Sequence, residues 1–210
     1  SRTQATAIQA AGETPLQSYR AALADRRVLG FVAAGALNGA ALFTYVAASP
    51  ALFIAHFAQP ASAFGWIFAL NAMGLIIASQ VNRHLLRRFS PQAIARQGVL
   101  AALGFAALLL ALAAAGLATL PLTMGLLFLS LGSYGFVAGN SSALALGAMP
   151  QRAGAISALI GAGSFAFGAA ASALTAPFAA QGPLAMAVGM ALGFAGSAYA
   201  IRRIAGSARE

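Results

Sequence analysis

Three long stretches of this chain carry no charge at all. Residues 28–82, 97–151 and 153–201 contain no Asp, Glu, Lys or Arg, over 55, 55 and 49 residues. About 20 apolar residues in a helix cross a bilayer core, so each stretch is long enough for two spans and a turn. Pro and Gly mark those turns, because they end helices and let the chain reverse. The first stretch has Ser49-Pro50 and then His56 to Pro60, the second has residues 116–121, and the third has Pro177 and Gln181-Gly182-Pro183. The pattern predicts three helical hairpins, with spans at 28–54, 62–82, 93–115, 120–140, 153–176 and 184–201. Only 7% of the residues are charged, against about 25% in a soluble domain, so most of this surface faces lipid.

The charges that exist are one-sided. All twelve basic residues are Arg, set against Glu13, Asp25 and Glu210. Arg2, Arg20, Arg26 and Arg27 precede the first span. Arg83, Arg87, Arg88 and Arg96 lie between the second and third, Arg152 between the fourth and fifth, and Arg202, Arg203 and Arg209 after the sixth. No arginine lies in a predicted outer turn. The positive-inside rule therefore puts the arginine side and both termini in the cytoplasm. The arginines alternate with apolar runs and form no continuous patch, which argues against a nucleic-acid partner. The division expected is a cytoplasmic segment 1–26, a transmembrane domain 27–204 and a cytoplasmic tail 205–210. The chain begins at Ser1, without a basic stretch leading into an apolar one, and reads as a fragment without a signal peptide. Thr14-Pro15 has the form of an N-cap with Pro at the first helical position. Leu16, Tyr19 and Leu23 share a face there, so 14–25 is either an amphipathic helix on the inner membrane surface or a linker.

Small residues recur at every fourth position: Gly35 and Gly39, Gly135 and Gly139, and Gly189, Gly193 and Ser197. In the fifth span Gly154, Ala158, Ala162, Ala166 and Ala170 form a stripe, widened by Gly161, Gly168 and Ser172. Such stripes let helix backbones approach closely in lipid and predict a tight bundle. Polar side chains within the spans are costly and face a cavity or a neighbouring helix. They include Asn38, Thr44 and Tyr45 in the first span, and Asn71, Ser79 and Gln80 in the second. The fourth has Ser133, Tyr134 and Asn140, and the fifth has Ser157 and Ser164 beside Phe165 and Phe167. A few amides among aromatic rings suit an apolar, loosely specified ligand. For each of these residues a helix–helix hydrogen bond is the competing reading.

No predicted span holds a carboxylate, so an intramembrane proton carrier of the usual kind is missing. His56 reads as a loop residue, and His56 and His84 fall on opposite sides of the bilayer, so no metal site is expected. The absence of Cys removes disulfide, thiolate-metal and thiol chemistry. There is no GxSxG, no HExxH and no carboxylate pair, so neither an enzyme nor a cofactor is expected. The sequon Asn140-Ser141-Ser142 lies on the inner side, out of reach of glycosylation.

A set of short motifs in a fixed order carries a family resemblance. They are Asp25 to Gly30 (DRRVLG), Phe68 to Gly74 (FALNAMG), Asn82 with Leu86, Arg87 and Arg88, Gly135 to Leu146 (GFVAGNSSALAL), Arg152-Ala153-Gly154, and Ser157-Ala158-Leu159. From about Thr14 onward the chain resembles the C-terminal half of the Bcr/CflA drug:proton antiporters of the major facilitator superfamily. The resemblance implies an all-α membrane protein of six transmembrane helices, arranged as two inverted three-helix repeats, one half of such a transporter. It implies export of small amphipathic drug-like molecules from a bacterial inner membrane. It also implies a partner, either an N-terminal half or a second copy of this chain. The first and fourth spans would line the drug cavity through Asn38, Phe43 and Tyr45, faced by Ser133, Tyr134 and Phe136, with Asn71, Asn140 and Phe165 nearby. The basic loop of Arg83, Arg87 and Arg88 would anchor to anionic lipid or to carbonyls at inner helix ends. Two features depart from the pattern: the acidic residues of the other half are not here, and Gly139 stands where the family often has Pro, which bears on helix shape at Asn140.

Overall fold

The computed structural model describes residues 14–207, with side chains through Ile204. The expected segment before Thr14 and the tail from residue 208 lie outside the described residues. A short helix α1 (Pro15–Ala24) precedes six long ones: α2 (Arg26–Pro50), α3 (Ala61–Leu85), α4 (Pro91–Ala114), α5 (Leu120–Ala148), α6 (Ala153–Thr175) and α7 (Leu184–Ser207). The described residues include no strand. All six long helices are long and apolar enough to span a bilayer, and the chain is an all-α, multi-pass membrane protein.

The helix starts are written locally. Thr14 and Gln17 form a capping box at α1, with the Thr14 amide donating to Gln17 Oε1 at 2.8 Å. That satisfies amides the first turn leaves free, so 15–24 is a helix rather than a linker. Asp25 Oδ1 accepts from the amides of Arg27 and Val28 at 2.8 and 2.9 Å, a negative charge on the positive end of α2. Ser90 caps α4 ahead of Pro91. The three turns away from the arginines each contain one residue with positive φ: Ala58 (51°), Gly116 (69°) and Gly182 (139°).

One boundary and two turn signals differ from expectation. Pro50 does not turn the chain: it sits in α2, and a π-helical turn over Ala51–His56 carries the span on. Pro50 has no amide to offer the Val46 carbonyl four residues back, and Ser49 Oγ donates to that oxygen instead, at 3.2 Å. The wider π spacing, with the Phe57 amide donating to Leu52 O at 3.0 Å, then relieves the proline before the turn. Helix α5 continues past Asn140 to Ala148, since nothing in 141–148 breaks a helix before Pro150. Pro177 lies within a 3-10 turn over Ala176–Gln181 rather than at a sharp reversal.

Packing departs further from the hairpin expectation. Of the three sequence hairpins only α4–α5 packs along its length; α6 and α7 touch only slightly, and α3 meets the first span mainly at the π turn. The main pairs are instead α2–α6, α2–α7, α2–α5, α3–α5, α4–α5 and α4–α7. This set is unchanged when α2, α3 and α4 are exchanged for α5, α6 and α7. Two three-helix units packed by one rule produce that symmetry, and an odd number of spans inverts the second unit relative to the first. Four inter-helix hydrogen bonds follow the same pairs. Ser130 Oγ donates to Ala102 O (3.3 Å, α5 to α4), and Ser197 Oγ to Ala34 O (2.9 Å, α7 to α2). Ser172 Oγ donates to Phe43 O (3.3 Å, α6 to α2), and Asn140 Nδ2 to Asn82 Oδ1 (2.8 Å, α5 to α3).

Glycines set these approaches. A Cβ on Gly39 would fall on Ser164, one on Gly168 would meet Phe43 Cβ at 2.6 Å, and one on Gly193 would meet the Leu37 carbonyl oxygen at 2.9 Å. The stripes of α2 and α7 therefore pack as expected, while in α5 a Cβ on Gly135 would meet Ala78 Cβ at 3.2 Å and Gly139 is exposed. The α6 stripe does not: Gly154, Ala158, Ala162, Ala166 and Ala170 are all exposed, and α6 meets α2 through Gly163, Gly168 and Ser172 instead. At the arginine end, Ala22 of α1 is buried with Val28, Ala145, Ile156 and Ile204, which docks α1 on the bundle.

Candidate functional site

The polar residues singled out from sequence divide into three places. At mid-depth, Asn71 Nδ2 donates to the Tyr45 hydroxyl at 3.1 Å and to Ile67 O at 3.2 Å. Asn38 Nδ2 donates to Tyr134 O at 3.3 Å. These bonds cross from α3 to α2 and from α2 to α5. Asn38, Tyr45, Asn71 and Asn140 are all buried, so they tie helices together rather than lining an open cavity of this chain. The reason is economy of hydrogen bonds: an amide in lipid is costly unless paired, and the nearest partner is the next helix. Asn38 Oδ1 and Asn71 Oδ1 have no hydrogen-bond partner among the described residues. Ser133 donates back to Leu129 O at 2.8 Å and is buried too, while Tyr134 is half-buried.

Phe43 and Phe165 form a second place. Their rings lie 4.5 Å apart across α2 and α6, and Phe165 is 64% exposed. This pair presents an aromatic edge outside the bundle. Asn140 belongs to a third place, near the arginine end, where it donates to Asn82 and to Phe136 O (2.7 Å). Phe136 is half-buried beside Gly98 of α4. The structure thus does not gather the expected residues into one pocket.

It does reveal an aromatic seam that sequence reading passed over. Tyr45 stacks on Phe68 (5.8 Å, 15° between planes), Phe68 neighbours Phe64 (6.0 Å), and Phe64 neighbours Phe53 (6.4 Å). Phe53 then meets Phe57 (6.1 Å), which meets His56 (4.7 Å). The ladder fills the space between the outer halves of α2 and α3, which do not pack backbone to backbone. Tyr45 and Phe53 are buried, while Phe57, Phe64 and Phe68 are half-exposed. The signal was available: Phe64, Phe68 and Asn71 share one helix face by their i, i+4, i+7 spacing. Rings held edge and face to one another present a surface suited to flat apolar or cationic groups.

The basic loop is exposed at Arg83, Arg87 and Arg88. Arg83 Nη2 donates to Gln80 Oε1 at 2.8 Å. The exposed Arg87 and Arg88 side chains make no hydrogen bond to a helix-end carbonyl among the described residues, and anionic lipid is the other expected anchor.

Comparison with known proteins adds one likeness. No protein-family model matches the chain, and no solved structure does. Over 152 residues, 72% of its length, the chain is 28% identical to a bicyclomycin resistance protein homolog of Haemophilus influenzae. The matched region spans 38% of that protein, so the chain is similar to a part of a longer protein.

Proposed function

We propose that this chain is one six-helix half of a multidrug exporter of the major facilitator superfamily, working by drug:proton antiport in a bacterial inner membrane with both ends cytoplasmic. The observation that carries the reading is the similarity to a bicyclomycin resistance protein homolog of which the matched region spans 38%. The internal pairing of α2–α4 with α5–α7 agrees with it, since repeated three-helix units build each half of such transporters. The chain would supply an aromatic wall from Phe64 and Phe68, backed by the buried Tyr45 and flanked by Phe43 and Phe165. Asn38, Asn71 and Asn140 hold the helices behind that wall in register, Asn38 through the Tyr134 carbonyl, while Ser133 and Phe136 border a groove at the arginine end. The described spans contain no carboxylate, so the proton carrier would belong to a partner unit.

The exposed α6 stripe would receive a helix of that partner, an N-terminal half or a second copy of this chain. A symmetric pair is the second reading, favoured because small residues at every fourth position suit self-association. In inverted vesicles, uptake of bicyclomycin or an amphipathic dye under a proton gradient is expected when the chain is paired with a second six-helix unit, and to fall with Phe64→Ala or Phe68→Ala. Uptake by the chain alone, with Ala162→Cys cross-linking two copies, would select the symmetric pair. No uptake in any combination would leave a non-transporting scaffold and overturn the proposal.

A further inference from the structure

Two open grooves lie at opposite ends of the bundle and correspond through the internal repeat. The first, of about 650 Å³, is bounded by α2, α6 and α7 at Leu37, Phe167, Leu174, Phe178, Val188 and Leu192. The second, of about 320 Å³, is bounded by α5, the end of α3 and α4 at Ser133, Phe136, Leu85, Phe89, Ala93 and Gln97. Exchange of α2, α6 and α7 for α5, α3 and α4 turns one set of walls into the other. Both are apolar, and both are flanked by a helix pair that packs little, α6 with α7 and α3 with α4.

They differ in charge. No charged residue lines the first groove. The second opens at the arginine end: Arg88 stands immediately before the lining residue Phe89, Arg87 precedes it, and Arg96 lies between the lining residues Ile94 and Gln97. Arg96 lies in the second turn of α4, at the arginine end of the bundle. All three arginines are exposed. The one described carboxylate, Asp25, accepts from backbone amides at the start of α2, and Arg87, Arg88 and Arg96 have no counter-charge among the described residues.

We propose that this second groove is a binding site for an anionic phospholipid of the arginine-side leaflet, with an acyl chain between α3 and α4 and the headgroup phosphate held by Arg87, Arg88 and Arg96. Exposed arginines adjacent in sequence to the lining of an apolar slot match a lipid that carries a phosphate above a hydrocarbon tail. The uncharged groove holds any acyl chain without regard to headgroup. The site requires membrane insertion but not the transport reading, and stands or falls separately from it.

The single tryptophan, Trp66, lies at the far end of α3, so a Trp66→Phe background gives a silent chain for a reporter. Ala93→Trp in that background, reconstituted in phosphatidylcholine vesicles, should be quenched more strongly by acyl-brominated phosphatidylglycerol than by equally brominated phosphatidylcholine. Val188→Trp, in the uncharged groove, should show no headgroup preference. Arg87→Gln, Arg88→Gln and Arg96→Gln should each lower the preference at Ala93→Trp by up to about fivefold, and the triple variant should abolish it. Equal quenching by the two lipids at Ala93→Trp, or a preference that survives every substitution, would overturn the site. If the triple variant fails to insert, the three single variants decide by the same outcomes.

Discussion

Asn71 donates a hydrogen bond to the hydroxyl of Tyr45 at 3.1 Å, joining α3 to α2 where their backbones are too far apart to pack. The bond and the stacked Tyr45–Phe68 rings are the main ties between these two spans at mid-depth. Tyr45→Phe keeps the stack and removes the acceptor. Inter-helix hydrogen bonds in lipid average about 0.6 kcal/mol and reach about 1.7 kcal/mol. A double-mutant cycle of Tyr45→Phe with Asn71→Ala, read by unfolding in mixed micelles, should give a coupling in that range. A coupling of zero would mean the two side chains do not meet in the membrane.

Ser49 and Pro50 form a compensated pair. Ser49→Ala leaves the Val46 carbonyl without this partner in a span that lipid surrounds, at a cost of up to about 1–3 kcal/mol for an acceptor kept from water. Pro50→Ala restores an amide to that carbonyl. The double variant should therefore be markedly more stable than Ser49→Ala alone. Equal destabilisation by Ser49→Ala with and without the Pro50→Ala substitution would contradict this account.

The glycines divide by what surrounds them. Gly193→Ala drives a methyl against the rigid Leu37 carbonyl, and Gly168→Ala against Phe43 Cβ; both should lower thermal stability. Gly104→Ala and Gly125→Ala meet nothing within 4 Å and lie inside helices, where alanine is favoured by up to about 1 kcal/mol. Those two should be neutral or stabilising. A uniform loss across all four would show that glycine content, rather than these contacts, matters.

Ala162→Leu and Ala166→Leu bulk up the exposed face of α6 without touching the chain's own core. Both should leave the melting temperature of the isolated chain near its original value. Association with a partner half or a second copy should weaken by about tenfold or more, the equivalent of about 1.4 kcal/mol. Full association in either variant would move the partner to another face.

The outer turns give a topological check. A reporter placed between Gln59 and Ser62 should be accessible only from the side opposite the arginines, and Arg87→Ala with Arg88→Ala should reduce the bias that holds this orientation. Labelling of that reporter from the arginine side would mean that the first span, α2, does not cross the bilayer, and would overturn the span count.

Much of the fold is legible in individual residues and their immediate neighbours. Charge-free stretches predict six spans because a bilayer penalises each charged residue individually, so the signal sits in single letters. Caps at Thr14, Asp25 and Ser90, and the turns at Gly116 and Gly182, are legible for the same reason: each depends on its own neighbours. Pro50 misleads because its fit within α2 depends on a hydroxyl beside it and a π turn after it. Asn38, Asn71 and Asn140 are visible as costly residues, but whether a cavity or a helix receives them is not.

Sequence by itself determined the number of spans and their alternation, since these follow from transfer of each residue between water and lipid, and it predicts which side carries the arginines. Tertiary structure alone decided that α2 packs on α5, α6 and α7 rather than on α3, that the α6 stripe faces outward, and that arginines border only one of two corresponding grooves. Inside a bilayer every apolar face is equally welcome to lipid. Partners are therefore chosen by shape and by a few crossing hydrogen bonds, such as that from Ser197 to Ala34, which exist only once both helices are in place.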